Sequence, residues 1–290
     1  MRRGIILAGG TGSRLFPATI AVNKQMLSVY DKPMIYYPLS TLMQSNCREI
    51  MIISTKKDIP NYKKLLGSGT DLGIKIFYKI QPRPNGIAAA FILAKKFIKN
   101  RKSILILGDN IFFGNQLEIA INSNYKNEGA TIFLYNVKNP EAYGVAQIKN
   151  NKIKKIVEKP KKYISNKAIV GLYFFDENVH NLVKKINYSE RGELEITDLM
   201  NLYLNQGKLN YEIIDKGNAW LDAGTHADLL DSSMYVKTLQ HRLGLMVGSV
   251  HEIAFKKGWI TSSALLETLR KFGQNEYFSY HKNLIDEKKF

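Results

Sequence analysis

Short, continuously apolar segments alternate with helical patterns along the first half of this 290-residue chain. Such segments lack the alternation of a half-exposed strand, so they are typical of strands buried on both faces. They are the segments 4–8, 50–54, 74–78, 103–107 and 131–135. Between the third and the fourth, Ile87, Phe91 and Ile98 fall on one face of a helix. The pattern predicts a parallel sheet covered by helices on both faces.

The second half of the sequence predicts a β-hairpin and a further strand. Residues 145–148 and 153–157 flank Asn150-Asn151, a dipeptide suited to a tight turn between two strands. An apolar strand follows over residues 169–175. This part of the chain therefore extends the predicted sheet, so that the expected sheet is mixed and mostly parallel.

Helices dominate the remainder of the chain. Thr197 and Thr225 stand where helix N-caps are expected, and residues 261–272 have a helical pattern. No linker rich in Ser, Gly or Pro interrupts the sequence. We therefore predict a single α/β domain over residues 1–244, with a helical C-terminal extension over residues 245–290 packed on the same domain.

The net charge of +17, from 42 Lys and Arg against 25 Asp and Glu, is the outlying feature of the composition. Such an excess raises nucleic acid, an anionic membrane or phosphorylated small molecules as partners. A protein that binds nucleic acid would interleave basic and aromatic residues on one face. The lysines scatter instead in pairs, such as Lys56-Lys57 and Lys184-Lys185. We therefore expect phosphorylated small molecules and no nucleic acid.

The composition and the lengths of the apolar runs indicate in which cellular compartment the protein is expected. A hydrophobic fraction of 45% is enough for a buried core, and the single Cys47 excludes a disulfide framework and a cysteine-based zinc site. The apolar run after Arg2-Arg3 ends at Gly9-Gly10, which is too short for a secretory signal. No run reaches the roughly 18 residues of a membrane span. We expect a soluble, cytoplasmic protein without a membrane partner.

A glycine-rich turn follows the first predicted strand, within residues 7–15. Glycine allows backbone N–H groups to approach a phosphate closely. The dinucleotide fingerprint fails because its third glycine is Leu15, and a P-loop from Gly9 fails because Arg14 and Leu15 stand where it needs Gly and Lys. What remains is a glycine-rich loop with its own Arg14, and Lys24 ten residues on. Such a loop could cradle a polyphosphate, although a tight turn and a solvated lysine stay alternatives.

Together, this turn, Lys24-Gln25 and residues 30–35 resemble the sugar-phosphate nucleotidyltransferases. Further segments are similar to one branch of that superfamily, the glucose-1-phosphate thymidylyltransferases: 36–40, 107–110, 143–145, 158–160, 192–198 and 219–226. The resemblance runs from residue 4 to about residue 260. It implies a Rossmann-like nucleotide-diphospho-sugar transferase domain.

The resemblance also implies roles for individual residues. The implied nucleotide-binding residues are Gly9, Gly10, Thr11, Gly12, Ser13, Arg14, Gln25, Gln81, Gly86 and Asp109. The implied sugar-phosphate-binding residues are Tyr143, Gly144, Glu158, Lys159 and Ile169. Catalysis by neutralising phosphate charge is expected from Arg14, Lys24 and Lys159.

Two aspartates are the candidate metal ligands. Asp109 comes soon after the predicted strand 103–107, at the edge where open α/β sheets bind ligands, and Asp222 is also predicted to end a strand. Such carboxylates suit Mg²⁺, although each aspartate alone could equally form a turn or cap a helix. The resemblance implies that Asp109 and Asp222 bind Mg²⁺ as the cofactor.

The reaction implied by the resemblance is Mg²⁺-dependent transfer of a thymidylyl group from dTTP to α-D-glucose 1-phosphate. Its products would be dTDP-glucose and pyrophosphate, as the first step of dTDP-deoxysugar synthesis such as that of dTDP-rhamnose. The same reaction with UTP or another sugar 1-phosphate stays an alternative, because the single methyl group that separates thymine from uracil contributes only about 1–3 kcal/mol of discrimination. Asn85 and Ala89 replace the aspartate and glutamine that are usual in the family, which bears on this choice.

Family members of this length are usually homotetramers with a second, regulatory nucleotide-sugar site. The large apolar residues within 259–278 make a homo-oligomer, a tetramer by resemblance, our expectation. Residues 115–119 depart from the usual polar pattern, so the regulatory site is not carried over and feedback inhibition stays a hypothesis.

Overall fold

The computed structural model describes residues 2–114, 128–215 and 217–287. The strands are β1 (Arg3–Leu7), β2 (Ser28–Val29), β3 (Lys32–Pro33), β4 (Glu49–Ser54), β5 (Lys75–Ile80), β6 (Ser103–Leu107), β7 (Asn110–Phe113), β8 (Ala130–Asn136), β9 (Gly144–Lys149), β10 (Lys152–Glu158), β11 (Lys167–Phe175), β12 (Leu209–Ile213) and β13 (Ala219–Asp222). The α-helices are α1 (Tyr36–Gln44), α2 (Ile59–Leu66), α3 (Ala89–Leu93), α4 (Lys95–Ile98), α5 (Val179–Leu182), α6 (Ile196–Asn205), α7 (His226–Leu243), α8 (Val250–Lys256), α9 (Ser262–Arg270) and α10 (Glu276–Glu287).

The main sheet contains nine strands within the described residues, in the order β10-β9-β11-β6-β1-β4-β5, with β8 beside β11 and β12 beside β8. Strand β1 pairs in parallel with β4 and β6, and β4 pairs in parallel with β5. Strand β11 runs antiparallel to β6, β8 and β9. The predicted mixed sheet is therefore confirmed. Its parallel part contains four strands from the first half of the sequence, β1, β4, β5 and β6.

The segment 131–135 is separated from the other apolar runs of the first half by the antiparallel strand β11. As part of β8 it pairs antiparallel with β11, and parallel only with β12. A continuous apolar run indicates that a strand is buried on both faces, whether its neighbouring strands are parallel or antiparallel to it. The prediction of a strand was therefore confirmed, whereas the prediction that its neighbours would all be parallel was wrong.

The core lies on both faces of the sheet. Ile5 and Ile6 are adjacent in β1, point to opposite faces and are both fully buried. Ile5 packs in a cluster that contains Phe91 of α3, and Ile6 packs in a second cluster that contains Leu39 of α1. Helices therefore cover both faces, as the uninterrupted apolar runs predict.

Two local predictions were confirmed and one was wrong. Asn150 and Asn151 form the turn between β9 and β10 with φ angles of 52° and 54°. Thr225 caps α7 through a reciprocal capping box with Asp228. Thr197, however, lies inside the first turn of α6, whose N-cap is Glu195, and Thr197 is buried. A threonine near a helix start resembles an N-cap in sequence even where its side chain faces the protein interior.

The C-terminal helices pack in two ways. Val250 and Ala254 of α8 belong to the core cluster that contains Ile6, whereas Leu265, Leu269 and other apolar residues form a cluster of their own. The predicted helix over 261–272 is confirmed as α9, which Thr261 caps. The division of the chain at residue 244 stays a prediction. Among the described residues, no helix is both long and apolar enough to cross a membrane.

His251 couples the packing of α8 and α10 to pH. Its side chain is buried, and its Nδ1 atom lies 2.8 Å from the Tyr277 hydroxyl. Burial, together with nearby His281, lowers the pKa of His251 to about 3. In the unfolded chain this pKa is about 6.5, so the unfolded state binds the extra proton between these values. The free energy of unfolding is therefore expected to fall as the pH drops below about 6.5.

For His251 alone, lowering the pH from 7 to 5 is expected to cost about 2 kcal/mol. His251→Gln should remove this contribution, so urea unfolding at the two pH values should differ less in the variant than in the wild-type protein. His241→Gln, at an exposed position on α7, is the matched control and should keep the wild-type dependence. Equal pH dependence in the wild-type protein and His251→Gln would contradict the assignment.

Candidate active site

The glycine-rich turn follows β1 directly and has Gln81 against it. Gly9 is buried, and a Cβ atom there would collide with the side-chain oxygen of Gln81. Gly12 has a positive φ of 63°, which favours glycine. Gly10, Thr11 and Ser13 are exposed. The turn therefore presents accessible backbone beside one of the predicted nucleotide-binding side chains.

Lys24 and Gln25 lie in a short 3₁₀ turn fixed by Asn23. The Asn23 Oδ1 atom accepts hydrogen bonds from the Gln25 backbone N–H at 3.0 Å and from the Tyr62 hydroxyl at 2.8 Å. Gln25 is buried, and its Oε1 atom accepts no hydrogen bond within the described part of the chain. An unsatisfied buried oxygen is costly, so a donor from a bound ligand would stabilise it.

The ammonium group of Lys24 forms a close ion pair with Asp109. Its Nζ atom lies 2.6 Å from Oδ2 of Asp109, and the Lys24 side chain is only 6% exposed. The other carboxylate oxygen, Oδ1, accepts a hydrogen bond from Asn110 Nδ2 at 3.0 Å. Asp109 follows β6, so the end of this strand delivers the carboxylate to the lysine.

Asn110 joins three strands around this carboxylate. Its side-chain oxygen accepts hydrogen bonds from the Gly171 backbone N–H at 3.0 Å and from Trp220 Nε1 at 2.7 Å. These contacts connect β7 to β11 and β13. The sequence prediction missed Asn110 and Trp220, although Asn110 directly follows the predicted ligand Asp109.

Asp222 ends β13, as predicted, and lies next to Asp109. It pairs with Asn110 in the register of β13 and β7, and the Ala223 backbone N–H donates to the Asp109 carbonyl at 3.3 Å. Burial and the charge of Asp109 raise the pKa of Asp222 to about 6, whereas Lys24 and Arg14 act in the opposite direction. Both predicted metal ligands are thus brought together with two of the three predicted phosphate-binding cations, Lys24 and Arg14.

These two carboxylates fit a magnesium ion by their donor chemistry. Mg²⁺ is usually bound by one or two carboxylates, with phosphate oxygens and water completing its coordination. No group of three or more His, Cys, Asp or Glu side chains suited to a metal occurs among residues 2–114, 128–215 and 217–287. Asp109 and Asp222 could therefore hold Mg²⁺ in the manner expected of a substrate-completed site.

A cavity of about 290 Å³ opens beside the aspartates. The predicted site residues that line it are Arg14, Asp109, Tyr143, Gly144, Glu158, Lys159, Ile169 and Asp222. The structure therefore brings all the predicted sugar-phosphate residues into one cavity. Lys24, Gln25, Gln81, Gly86 and the turn from Gly9 to Ser13 lie outside its lining, and Lys24 reaches it through Asp109.

Glu158 and Lys159 form the polar end of the cavity. Burial and the charge of Glu195 raise the pKa of Glu158, against the opposing charges of Lys159 and Arg191. Arg191, which the sequence prediction gave no role, lies 2.9 Å from Glu195 and 3.6 Å from Glu158. Lys159 has a positive φ of 41°, an unfavourable conformation for a residue with a side chain.

Gly86 connects the Gln81 segment to this end of the cavity. With a φ of 94°, Gly86 packs so closely that a Cβ atom would collide with the Leu194 backbone. The Leu194 backbone N–H donates to the Asn85 carbonyl at 2.8 Å. Because Glu193 and Glu195 flank Leu194 and line the cavity, the predicted nucleotide and sugar regions are in direct contact. Residues 115–119, considered for a regulatory site, lie outside the described residues.

Comparison with known proteins decides which family has this arrangement. Residues 3–238 match the sequence profile of the family described as nucleotidyl transferase. The chain belongs to the nucleotidyl transferase family. The resemblance inferred from the motifs is therefore confirmed, and the nucleotidyl transferase match extends over the sheet, the cavity and both aspartates.

Individual nucleotidyl transferases are similar over most of the chain. A glucose-1-phosphate thymidylyltransferase from Neisseria meningitidis is 45% identical over 285 residues, which cover 98% of this chain and 99% of the relative. A Bacillus anthracis crystal structure with the provisional name glucose-1-phosphate thymidylyltransferase, in complex with sucrose, has a TM-score of 0.75 and 42% identity, covering 81% of this chain and 95% of the other. A UDP-glucose pyrophosphorylase structure in complex with UDP-glucose has a TM-score of 0.72 and covers 82% of this chain and 99% of the other, but its 21% identity shows the fold alone.

Proposed function

We propose that this protein transfers a thymidylyl group from dTTP to α-D-glucose 1-phosphate, giving dTDP-glucose and pyrophosphate. The observation that carries the proposal is the 45% identity, over nearly the full length of both chains, to a glucose-1-phosphate thymidylyltransferase. The cavity beside Asp109 and Asp222 supports it, because it joins the polar groups predicted to bind the sugar phosphate to a cluster of carboxylates and cations. The product would enter dTDP-deoxysugar synthesis.

The chemistry is an in-line displacement at phosphorus. A phosphate oxygen of glucose 1-phosphate attacks the α-phosphorus of dTTP, a new P–O bond forms, and the bond to the bridging oxygen of the β-phosphate breaks. Pyrophosphate leaves with the electrons of that bond. The second pKa of a phosphate monoester is about 6, so the nucleophile is largely ionised at neutral pH and needs no general base.

The residues of this chain would act by positioning and by neutralising charge. Arg14 and Lys24 would hold the triphosphate against the amides of the glycine turn, and Lys159 would hold the sugar phosphate. Glu158 would accept hydrogen bonds from glucose hydroxyls. Bound by Asp109 and Asp222, Mg²⁺ would supply further stabilisation of the negative charge that develops on the phosphate oxygens.

The preference for dTTP is tested by measuring pyrophosphate release with dTTP, UTP, CTP and ATP, each against several sugar 1-phosphates. The highest kcat/KM is expected for dTTP with glucose 1-phosphate, and the activity should require Mg²⁺. A higher value for UTP would replace the thymidylyl proposal with the uridylyl alternative. No release with any pair would contradict the proposed reaction. A cytoplasmic location and a homotetramer stay predictions, the latter testable by light scattering in solution.

A further inference from the structure

The carboxylate of Asp109, one of the two proposed metal ligands, is paired with neighbouring side chains. Lys24 Nζ lies 2.6 Å from Oδ2, and Asn110 Nδ2 donates to Oδ1 at 3.0 Å. Both carboxylate oxygens therefore have a hydrogen-bond donor. We propose that Lys24 blocks the metal site until the nucleotide arrives, so that the divalent ion binds together with the nucleoside triphosphate and not before it. The proposal rests on the proposed function, which makes Asp109 and Asp222 the metal ligands.

The charges of the cluster favour this order of binding. Two carboxylates, Asp109 and Asp222, lie with two cations, Lys24 and Arg14, and the guanidinium of Arg14 packs against Gly224. The four side chains together carry no net charge when all are ionised. A divalent cation that arrives alone would compete with a close, largely buried ammonium and would leave the cluster positive. A triphosphate brings more negative charge than the metal brings positive, and it offers both cations new partners.

The geometry lets Lys24 change partners without a change in the fold. The 3₁₀ turn that carries Lys24 is held by the Asn23 side chain, which accepts a hydrogen bond from the backbone N–H of the next residue, Gln25. A Cβ atom on Gly12 would lie 3.3 Å from the Lys24 Cβ, so the stem of the lysine starts against the glycine turn. The lysine stem is long and flexible. Rotation of this side chain alone would carry the ammonium from Asp109 toward a phosphate held at the turn.

The size of the effect follows from how often the carboxylate is accessible. If Lys24 leaves Asp109 for about a tenth of the time, the apparent affinity for a metal alone falls about tenfold. Removal of the ammonium should restore that factor. Lys24→Met keeps an unbranched side chain of similar length and removes only the charge that competes with the metal.

The test measures Mn²⁺ binding to the nucleotide-free protein. The electron paramagnetic resonance signal of free Mn²⁺ gives the fraction that is not bound. We expect Lys24→Met to bind Mn²⁺ at least about tenfold more tightly than the wild-type protein does. Adding Asp109→Asn to Lys24→Met should abolish this gain. Lys57→Met is the matched control, because Lys57 is exposed and donates to the Ile20 carbonyl at 3.0 Å, and its Mn²⁺ affinity should be unchanged.

A second comparison uses the wild-type side chain at position 24. Asp109→Asn should hardly change the weak Mn²⁺ binding of the nucleotide-free protein, whereas it should clearly weaken Mn²⁺ binding in the presence of dTTP without sugar phosphate. Equal Mn²⁺ affinity of the wild-type protein and Lys24→Met without nucleotide, or a strong loss in nucleotide-free Asp109→Asn, would overturn the proposal. Pyrophosphate release by the wild-type enzyme tests the proposed function separately, so the two can fail independently.

Discussion

Replacing Asp222 with alanine is expected to lower kcat at least about 100-fold, the scale of losing one electrostatic contact to the reacting phosphates. Asp222 lies beside Asp109 and is one of the two carboxylates proposed to bind Mg²⁺. Lys24→Ala should cause a loss of the same order, because it removes a cation proposed to stabilise the triphosphate. Steady-state pyrophosphate release with dTTP and glucose 1-phosphate measures both.

The matched control for Asp222 is Asp231→Ala. Asp231 is an exposed carboxylate on α7, and its removal should leave kcat near the wild-type value. Circular dichroism should show the same fold for all of these variants. Near-normal kcat in both Asp222→Ala and Lys24→Ala would remove these two residues from the mechanism.

Asn110→Ala is expected to lower the free energy of unfolding by about 2–5 kcal/mol, because it leaves two buried donors without acceptors. These donors are the Gly171 backbone N–H, at 3.0 Å, and Trp220 Nε1, at 2.7 Å. Asn110 is itself only 2% exposed, so water cannot readily replace the lost oxygen. Urea denaturation of the two proteins gives the difference directly.

Asn181→Ala provides the comparison for this loss. Asn181 is exposed and donates to the Asn178 side chain at 3.1 Å, so its removal should change the free energy of unfolding by less than about 0.5 kcal/mol. If Asn110→Ala proved as stable as Asn181→Ala, the amide would not be a structural link between β7, β11 and β13.

The sequence predicted strands well because burial on both faces leaves a direct trace in composition. Ile5 and Ile6 are adjacent and both fully buried, and no half-exposed strand would need two such residues in succession. Strand direction leaves no such trace, and this is why the antiparallel partner of 131–135 was missed. Thr197 shows a related difficulty, because the residue preference for a helix N-cap does not reveal which side chain faces the protein interior.

The candidate site also contains features that the sequence predicts and features that it does not. Segments near in sequence, such as the glycine turn and Lys24, could be predicted as one phosphate-binding unit from the sequence alone. Trp220 and Arg191 could not, because their roles depend on partners far along the chain, such as Asn110 and Glu158. Residue types alone do not encode these distances. The catalytic and binding roles of the individual residues stay proposals that the variants above test.

The contact between Gly86 and Leu194 has a consequence for how this enzyme could acquire new substrates. Since the two backbones leave no room for a Cβ atom at position 86, the segment proposed to hold the base and the segment that lines the proposed sugar cavity are expected to move together. A substitution that repositions one segment to accept a different base would shift Glu193 and Glu195, which line that cavity. Selection for a new nucleotide is therefore expected to alter the sugar preference as well, and engineering of either specificity should randomise both segments in one library.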